Sequence, residues 1–187
     1  WDDGGSAGGD PWYQSCRTAI YDRYFDVLKD KGLLYPCFCS RAELHTAQAP
    51  HRSDGTYIYA GTCRNLTPEQ IAEKSKRRPP AWRVRVPERE MSFTDGCQGV
   101  YTENLAHDCG DFIIRRSDGV YGYQLAVVVD DGLMGVTEVV RGSDLLNSTP
   151  RQMYLYERKI YEGKACFSAY YVYGHSHGNI NARQFAL

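Results

Sequence analysis

Residues 111–152 read DFIIRRSDGVYGYQLAVVVDDGLMGVTEVVRGSDLLNSTPRQ. They divide into a charged hairpin, an apolar run, a second β-branched run and an Arg-Gly-Ser-Asp turn that opens a helix. The run at 125–129 is short, β-branched and bounded by polar residues, which predicts a strand buried on both faces. Asp130 and Asp131 then fall at its C-terminal end, where open α/β sheets place their ligand crevice. The second run, 136–140, ends at Arg141-Gly142. A guanidinium at a strand mouth is shaped to clamp a carboxylate with two parallel hydrogen bonds. Spacing alone, however, favours a surface arginine beside a tight turn.

Outward from this stretch, residues 113–123 read as a hairpin with Asp118-Gly119 at its tip. Thr149-Pro150 restarts a helix carrying Met153, Leu155 and Tyr156. Upstream, residues 1–11 are rich in Gly and Asp and read as a loop. A helix follows, with Ser15 as its cap, Ile20, Tyr24, Val27 and Leu28 on one face, and Gly32 just past its end. Residues 33–35 then enter the sheet. Thr67-Pro68-Glu69-Gln70 is a helix start with a capping threonine, a proline in the first turn and a glutamine three residues on. That helix stops before Pro79-Pro80. Strands are expected at 81–86, 91–94 and 100–102, the last two around an Asp95-Gly96 turn.

The chain has 187 residues, enough for one domain with a core or for a piece of something larger. Lys and Arg total 22 against 23 Asp and Glu, so no overall charge signature of nucleic-acid binding exists. An RNA contact would need a local patch such as Lys74-Ser75-Lys76-Arg77-Arg78, which reads equally as a solvated helix end favoured by the dipole. No segment has the roughly 18 apolar residues of a membrane span, and no apolar run of a secretory signal follows the first residues. Seven cysteines without such a signal argue for a reducing, cytoplasmic setting and for metal or free thiols.

Residues 36–64 hold two cysteine clusters among turn formers. Cys37-Phe38-Cys39 supplies two thiols from one turn, and Cys63 closes the loop. A structural zinc site takes four ligands in a tetrahedron, so three thiolates leave one vacancy. Tyr59, His45 and His51 are candidates for it, and three buried free cysteines beside a core tyrosine is the alternative. A structural zinc can contribute about 10–16 kcal/mol of apparent binding energy, which matches or exceeds the net stability of a whole domain. Cys16, Cys97, Cys109 and Cys166 are scattered and read as small core residues. His175-Ser176-His177 reads as a solvated tail.

These motifs resemble the class I glutamyl-tRNA synthetases and their short paralogues, the glutamyl-Q tRNA(Asp) synthetases, over most of residues 1–158. The words Val140-Arg141-Gly142-Ser143-Asp144-Leu145-Leu146 are similar to the paralogue, and Ser148-Thr149-Pro150-Arg151-Gln152 is similar to both branches. The resemblance implies a partial Rossmann-like α/β catalytic domain with a zinc-stapled insertion, and Tyr123 and Arg141 as contacts to the glutamate substrate. It also implies Zn2+ on Cys37, Cys39, Tyr59 and Cys63. The full synthetases place a His two residues after the third cysteine, where Asn65 stands here, and the paralogues a Tyr four residues before it, where Tyr59 stands.

The implied enzyme activates glutamate with ATP and Mg2+ and transfers it to the queuosine of tRNA(Asp), as a cytoplasmic monomer without membrane contact. No covalent catalytic side chain is implied. The implied organisation is the end of the first Rossmann half (1–35), the insertion (36–110), the second half (111–158) and a divergent tail (159–187). Neither ATP motif of class I synthetases, His-Ile-Gly-His-like or Lys-Met-Ser-Lys-Ser-like, stands in the sequence. A truncated or frame-slipped chain, inactive alone, is therefore expected. A glutamyl-tRNA synthetase piece and a zinc-stapled binding module without chemistry are the rival readings.

Overall fold

A 3-10 turn, Gln14–Cys16, leads into helix α1, Thr18–Asp30. Tyr21, Phe25 and Leu28 recur at helical spacing and are buried, with Ile20 and Tyr24 packed beside them. The cap position is Arg17 and not the expected Ser15, because Ser15 is taken up in the preceding turn. Gly32 follows the helix at φ +68°, a conformation open to glycine at little cost. The computed structural model describes residues 13–44, 58–158 and 169–172. His45, His51, Cys166, His175 and His177 lie outside the described residues.

Strand β1, Leu34–Cys37, is buried along its length, and a single turn, α2 (Arg41–Leu44), follows it. Helix α3, Pro68–Ser75, starts at the capping box read from the sequence. The Thr67 hydroxyl accepts from the Gln70 N–H at 3.3 Å, and the Gln70 side chain accepts from the Thr67 N–H at 2.9 Å. Then come β2 (Ala81–Val84), β3 (Glu90–Asp95) and β4 (Gly99–Asn104). The Asp95 carboxylate closes the β3–β4 turn by accepting the Cys97 and Gln98 N–H groups. A π-helical turn, Leu105–Cys109, precedes β5, Ile113–Arg115. The hairpin tip is at Asp118-Gly119, with Gly119 at φ +86°. Helix α4 (Tyr123–Met134), β6 (Glu138–Arg141), α5 (Ser148–Glu157) and β7 (Ala169–Val172) complete the order.

The run at 125–129 is therefore helix and not strand. Leu125, Val128 and Val129 are all buried, and the helix ends at Gly135, φ +69°. An apolar run this short carries no period, so its length and β-branching suggest a strand while burial on several sides suits a helix equally. Tertiary packing outweighs the β-propensity of three valines. With the strand goes the crevice expected at its end, since Asp130 and Asp131 sit inside α4.

Two sheets result. In one, β1, β2 and β5 run antiparallel in the order β1-β2-β5. The other has the order β4-β3-β7-β6: β3 and β4 form an antiparallel hairpin, while β7 runs parallel to both β3 and β6. The residue pattern of the tail shows no strand period, yet β7 supplies the parallel partner of β6.

The main core packs α1, α4 and α5 against β1, β2 and β5, with Phe25 edge-on to Trp82 at 5.4 Å between ring centres. Three further cysteines depart from the core placement expected of them. Cys16 and Cys97 are exposed and Cys109 is half-buried, because each falls in a turn.

Asp130 is a core residue with a partner set. Its carboxylate pairs with the Arg17 guanidinium at 2.7 Å and accepts the Tyr21 hydroxyl at 2.7 Å. This clamp fixes α1 against α4. Burial, then the Asp130 charge, push the Tyr21 phenol up from its ordinary range. Removing one partner of a buried pair leaves an uncompensated charge, so Arg17→Met is expected to cost about 3–5 kcal/mol. The double change Arg17→Met with Asp130→Leu recovers most of that loss. Urea denaturation midpoints of the three proteins check both statements, and equal losses in single and double variants would refute the clamp.

Candidate functional site

Two groups of candidate residues occupy different parts of the chain. At the end of β1, Cys37 and Cys39 meet Cys63, and the three sulfurs lie within 4.8 Å of one another. The Tyr59 hydroxyl is 3.5 Å from the Cys37 sulfur and 3.8 Å from that of Cys39, and the Cys39 and Cys63 sulfurs are 3.6 Å apart. All four sequence-predicted ligands are thus brought together. With Zn–S near 2.3 Å and Zn–O near 2.0 Å, tetrahedral edges are ~3.8 Å between sulfurs and ~3.5 Å between sulfur and oxygen. The donor set fits a zinc ion in type, number and spacing.

The cluster is built by backbone as much as by side chains. The Cys63 N–H donates to the Tyr59 oxygen at 2.7 Å, and the Phe38 N–H donates to the Cys63 sulfur at 3.4 Å. Tyr59 itself bridges to Gly110. A side chain at 110 would meet the Tyr59 backbone and the Ile58 side chain at 3.0 Å, and φ there is +66°, so glycine is required. Burial, then the hydrogen bond with Cys37, push the Tyr59 phenol up, against the opposing pull of the Cys63 N–H. An ionised Tyr59 at neutral pH therefore needs a nearby cation. Burial and the Cys37 charge push the Cys39 thiol up to about 12. At Cys37 burial pushes upward too, but hydrogen bonds from Tyr59, the Cys39 backbone and Arg83 outweigh it and the net shift is down.

Sequence reasoning missed three residues around this cluster. Arg83 is 6% exposed and its guanidinium lies 3.7 Å over the Tyr59 ring. Asp111 is 3% exposed and accepts the Tyr35 hydroxyl at 2.6 Å and the Val86 N–H at 2.8 Å. Arg64, beside Cys63, pairs with the same carboxylate at 3.3 Å. A charged residue in a strand, turn or bend gives no sign in the sequence of which partner it will find.

The second group lies at the end of β6. Arg141 donates to Gln152 at 2.9 Å and to the Thr149 hydroxyl, both on α5. Its Nε is buried and finds no partner among the described residues. Gln124 donates to Ser148 at 3.0 Å, which ties α4 to α5 close by. Tyr123, the first residue of α4, is 44% exposed and shares no hydrogen bond with Arg141. Burial, then the Asp130 charge, push the Asp131 carboxyl up to about 6, and Arg141 opposes the shift. The basic run at 74–78 is exposed at the end of α3, where Glu73 pairs with Lys76 at 3.2 Å and Arg77 at 3.3 Å.

The chain is similar to known proteins over most of its length. The chain is 52% identical over 160 residues to a glutamyl-Q tRNA(Asp) synthetase of Nitratidesulfovibrio vulgaris, covering 83% of this chain and 49% of that protein. It is 51% identical over 147 residues to one of Neisseria meningitidis, covering 79% and 48% respectively. The chain spans about half the length of the curated relatives it matches. Among solved structures, a glutamate tRNA ligase from Elizabethkingia meningosepticum, in complex with its amino acid, aligns with a TM-score of 0.69 at 25% identity. That alignment covers 91% of this chain and 34% of the ligase. The family model for the catalytic domain of class I tRNA synthetases (E and Q) matches residues 1–181, and the chain belongs to that family.

Proposed function

We propose that this catalytic-domain chain serves the ATP-dependent activation of glutamate and its transfer to the queuosine of tRNA(Asp). The observation that carries the reading is Arg141. Its guanidinium is oriented by Thr149 and Gln152 at the end of a strand, and it keeps a buried Nε donor without a partner among the described residues. A substrate carboxylate would satisfy that donor and take a second N–H from the same fork. Tyr123, exposed at the start of α4, would supply a hydroxyl to the same substrate. Catalysis in this reading is positioning and charge stabilisation at the phosphoryl centre, with no covalent attack by a side chain. ATP enters as a substrate with Mg2+.

The names of the relatives near half identity support the queuosine branch, as does Tyr59 beside the three cysteines. In this reading Cys37, Cys39, Tyr59 and Cys63 hold a structural Zn2+ that closes the insertion, and residues 36–110 face the tRNA. The protein would work as a cytoplasmic monomer. No helix among the described residues is long and apolar enough to cross a membrane.

Three outcomes are expected. In a protein of the relatives' full length, Arg141→Ala raises the glutamate KM at least about tenfold in ATP–pyrophosphate exchange, the loss of one charge-assisted pair. An unchanged KM would remove Arg141 from the site. The same protein loads labelled glutamate onto tRNA(Asp) carrying queuosine and leaves tRNA(Glu) uncharged, whereas charging of tRNA(Glu) would identify a glutamyl-tRNA synthetase. Metal analysis of the purified chain finds about one zinc per molecule, lost in Cys37→Ser. A metal-free chain with unaltered folding would refute the zinc assignment.

A further inference from the structure

Three thiolates and a phenolate around one divalent ion leave a double negative charge, whereas exchanging the phenolate for a neutral imidazole leaves a single one. In a buried place such an excess is costly unless a cation stands next to it. Arg83 is the cation in place. It projects from β2, is 6% exposed, and its guanidinium carbon lies 3.7 Å from the centre of the Tyr59 ring. Its charge is also felt at Cys37, whose thiol it helps to pull down.

Its other anchors make this position specific. Arg83 donates from Nη1 to the Asp111 backbone carbonyl at 2.6 Å. The Asp111 carboxylate is occupied by Tyr35, Val86 and Arg64, so it does not serve Arg83 as a counter-ion. Arg83 Nε has no partner among the described residues. A nine-tenths buried guanidinium thus has its charge directed at an aromatic face and a backbone carbonyl, not at a carboxylate. An electron-rich phenolate ring is a stronger cation–π partner than a neutral phenol.

We propose that Arg83 is the positioning residue of the zinc centre, neutralising part of the ligand set's negative charge and holding the Tyr59 ring in its ligating orientation. The inference rests on the zinc reading above and adds a reason why a tyrosine serves as ligand here: Tyr59 and Arg83 work as one unit. Outer partners of this kind hold first ligands in orientation, and their loss weakens metal binding. Lysine keeps the charge and loses the planar stack.

The test is retention of zinc by the purified holoprotein against a graded chromogenic chelator. Arg83→Gln is expected to weaken zinc binding about 10–100-fold with Tyr59 present, and Arg83→Lys to fall between. In a Tyr59→His background the same Arg83→Gln change should cost about threefold or less, because the two positions are coupled. Addition of zinc to the apoprotein should also produce the ultraviolet difference band of an ionised tyrosine, diminished in both Arg83 variants. Equal losses with Tyr59 present and in the Tyr59→His background would mean that Arg83 only supports the fold, and unchanged affinity in Arg83→Gln would overturn the proposal outright. Should Arg83→Gln fail to fold, Arg83→Lys carries the same comparison between backgrounds. An unsubstituted protein that holds no zinc refutes the zinc reading itself, which separates that failure from this one.

Discussion

The buried carboxylate of Asp111 is the constraint on which the cysteine-bearing part of the molecule depends. Removing a carboxylate from water costs several kcal/mol, and only a full set of donors offsets that. Here the donors come from three places: the Tyr35 hydroxyl in β1, the Val86 N–H just after β2, and Arg64 in the turn that carries Cys63. Its own carbonyl takes Arg83. One residue therefore ties together β1, the residues just after β2 and the turn of the third cysteine. Gly110, its neighbour, lets Tyr59 approach the backbone closely enough to join the same arrangement.

Much of the local structure is legible in the sequence because short-range chemistry dictates it. The Thr67–Gln70 capping box, Gly32 after α1 and Asp118-Gly119 at the hairpin tip are all satisfied within a few residues of chain, and all stand where the sequence places them. Cys37, Cys39 and Cys63 are legible for a different reason: thiols are few, and their convergence across 24 positions has few explanations. What is not legible depends on partners far along the chain. The run at 125–129, inside the helix at 123–134, reads as a strand because an all-apolar run has no period until its surroundings are known. Asp130 reads as a crevice acid, yet its partner Arg17 lies 113 positions away. Arg83 and Asp111 give no sign at all, because neither alternation in a strand nor a place in a bend marks a partner.

The loss of the expected crevice alters how the region around Arg141 is understood. Asp130 is occupied by Arg17 and Tyr21 and has no carboxylate oxygen to spare for a ligand without breaking the α1–α4 clamp. Asp131, one residue on, is pushed up by burial and by the Asp130 charge, and the Arg141 charge opposes that rise. The division follows from helical geometry: successive residues point about 100° apart, so adjacent acids on a helix serve different neighbours.

Helix α5 shows how the two groups of candidate residues are held in one frame. Thr149 and Gln152, three positions apart, lie on one face and support Arg141. Arg151 and Tyr154, also three apart, point about 160° away from that pair at 3.6 residues per turn. They are engaged elsewhere: Arg151 donates to the Cys109 sulfur at 2.9 Å, and the Tyr154 hydroxyl donates to the Arg85 carbonyl at 2.8 Å. Cys109 precedes Gly110 and Asp111, and Arg85 follows the strand that carries Arg83. One face of α5 therefore orients the guanidinium proposed to meet a substrate carboxylate, and the other braces the segment on which Tyr59 rests. The ten-residue helix α5 therefore links the surroundings of Arg141 to the cysteine-bearing part of the chain.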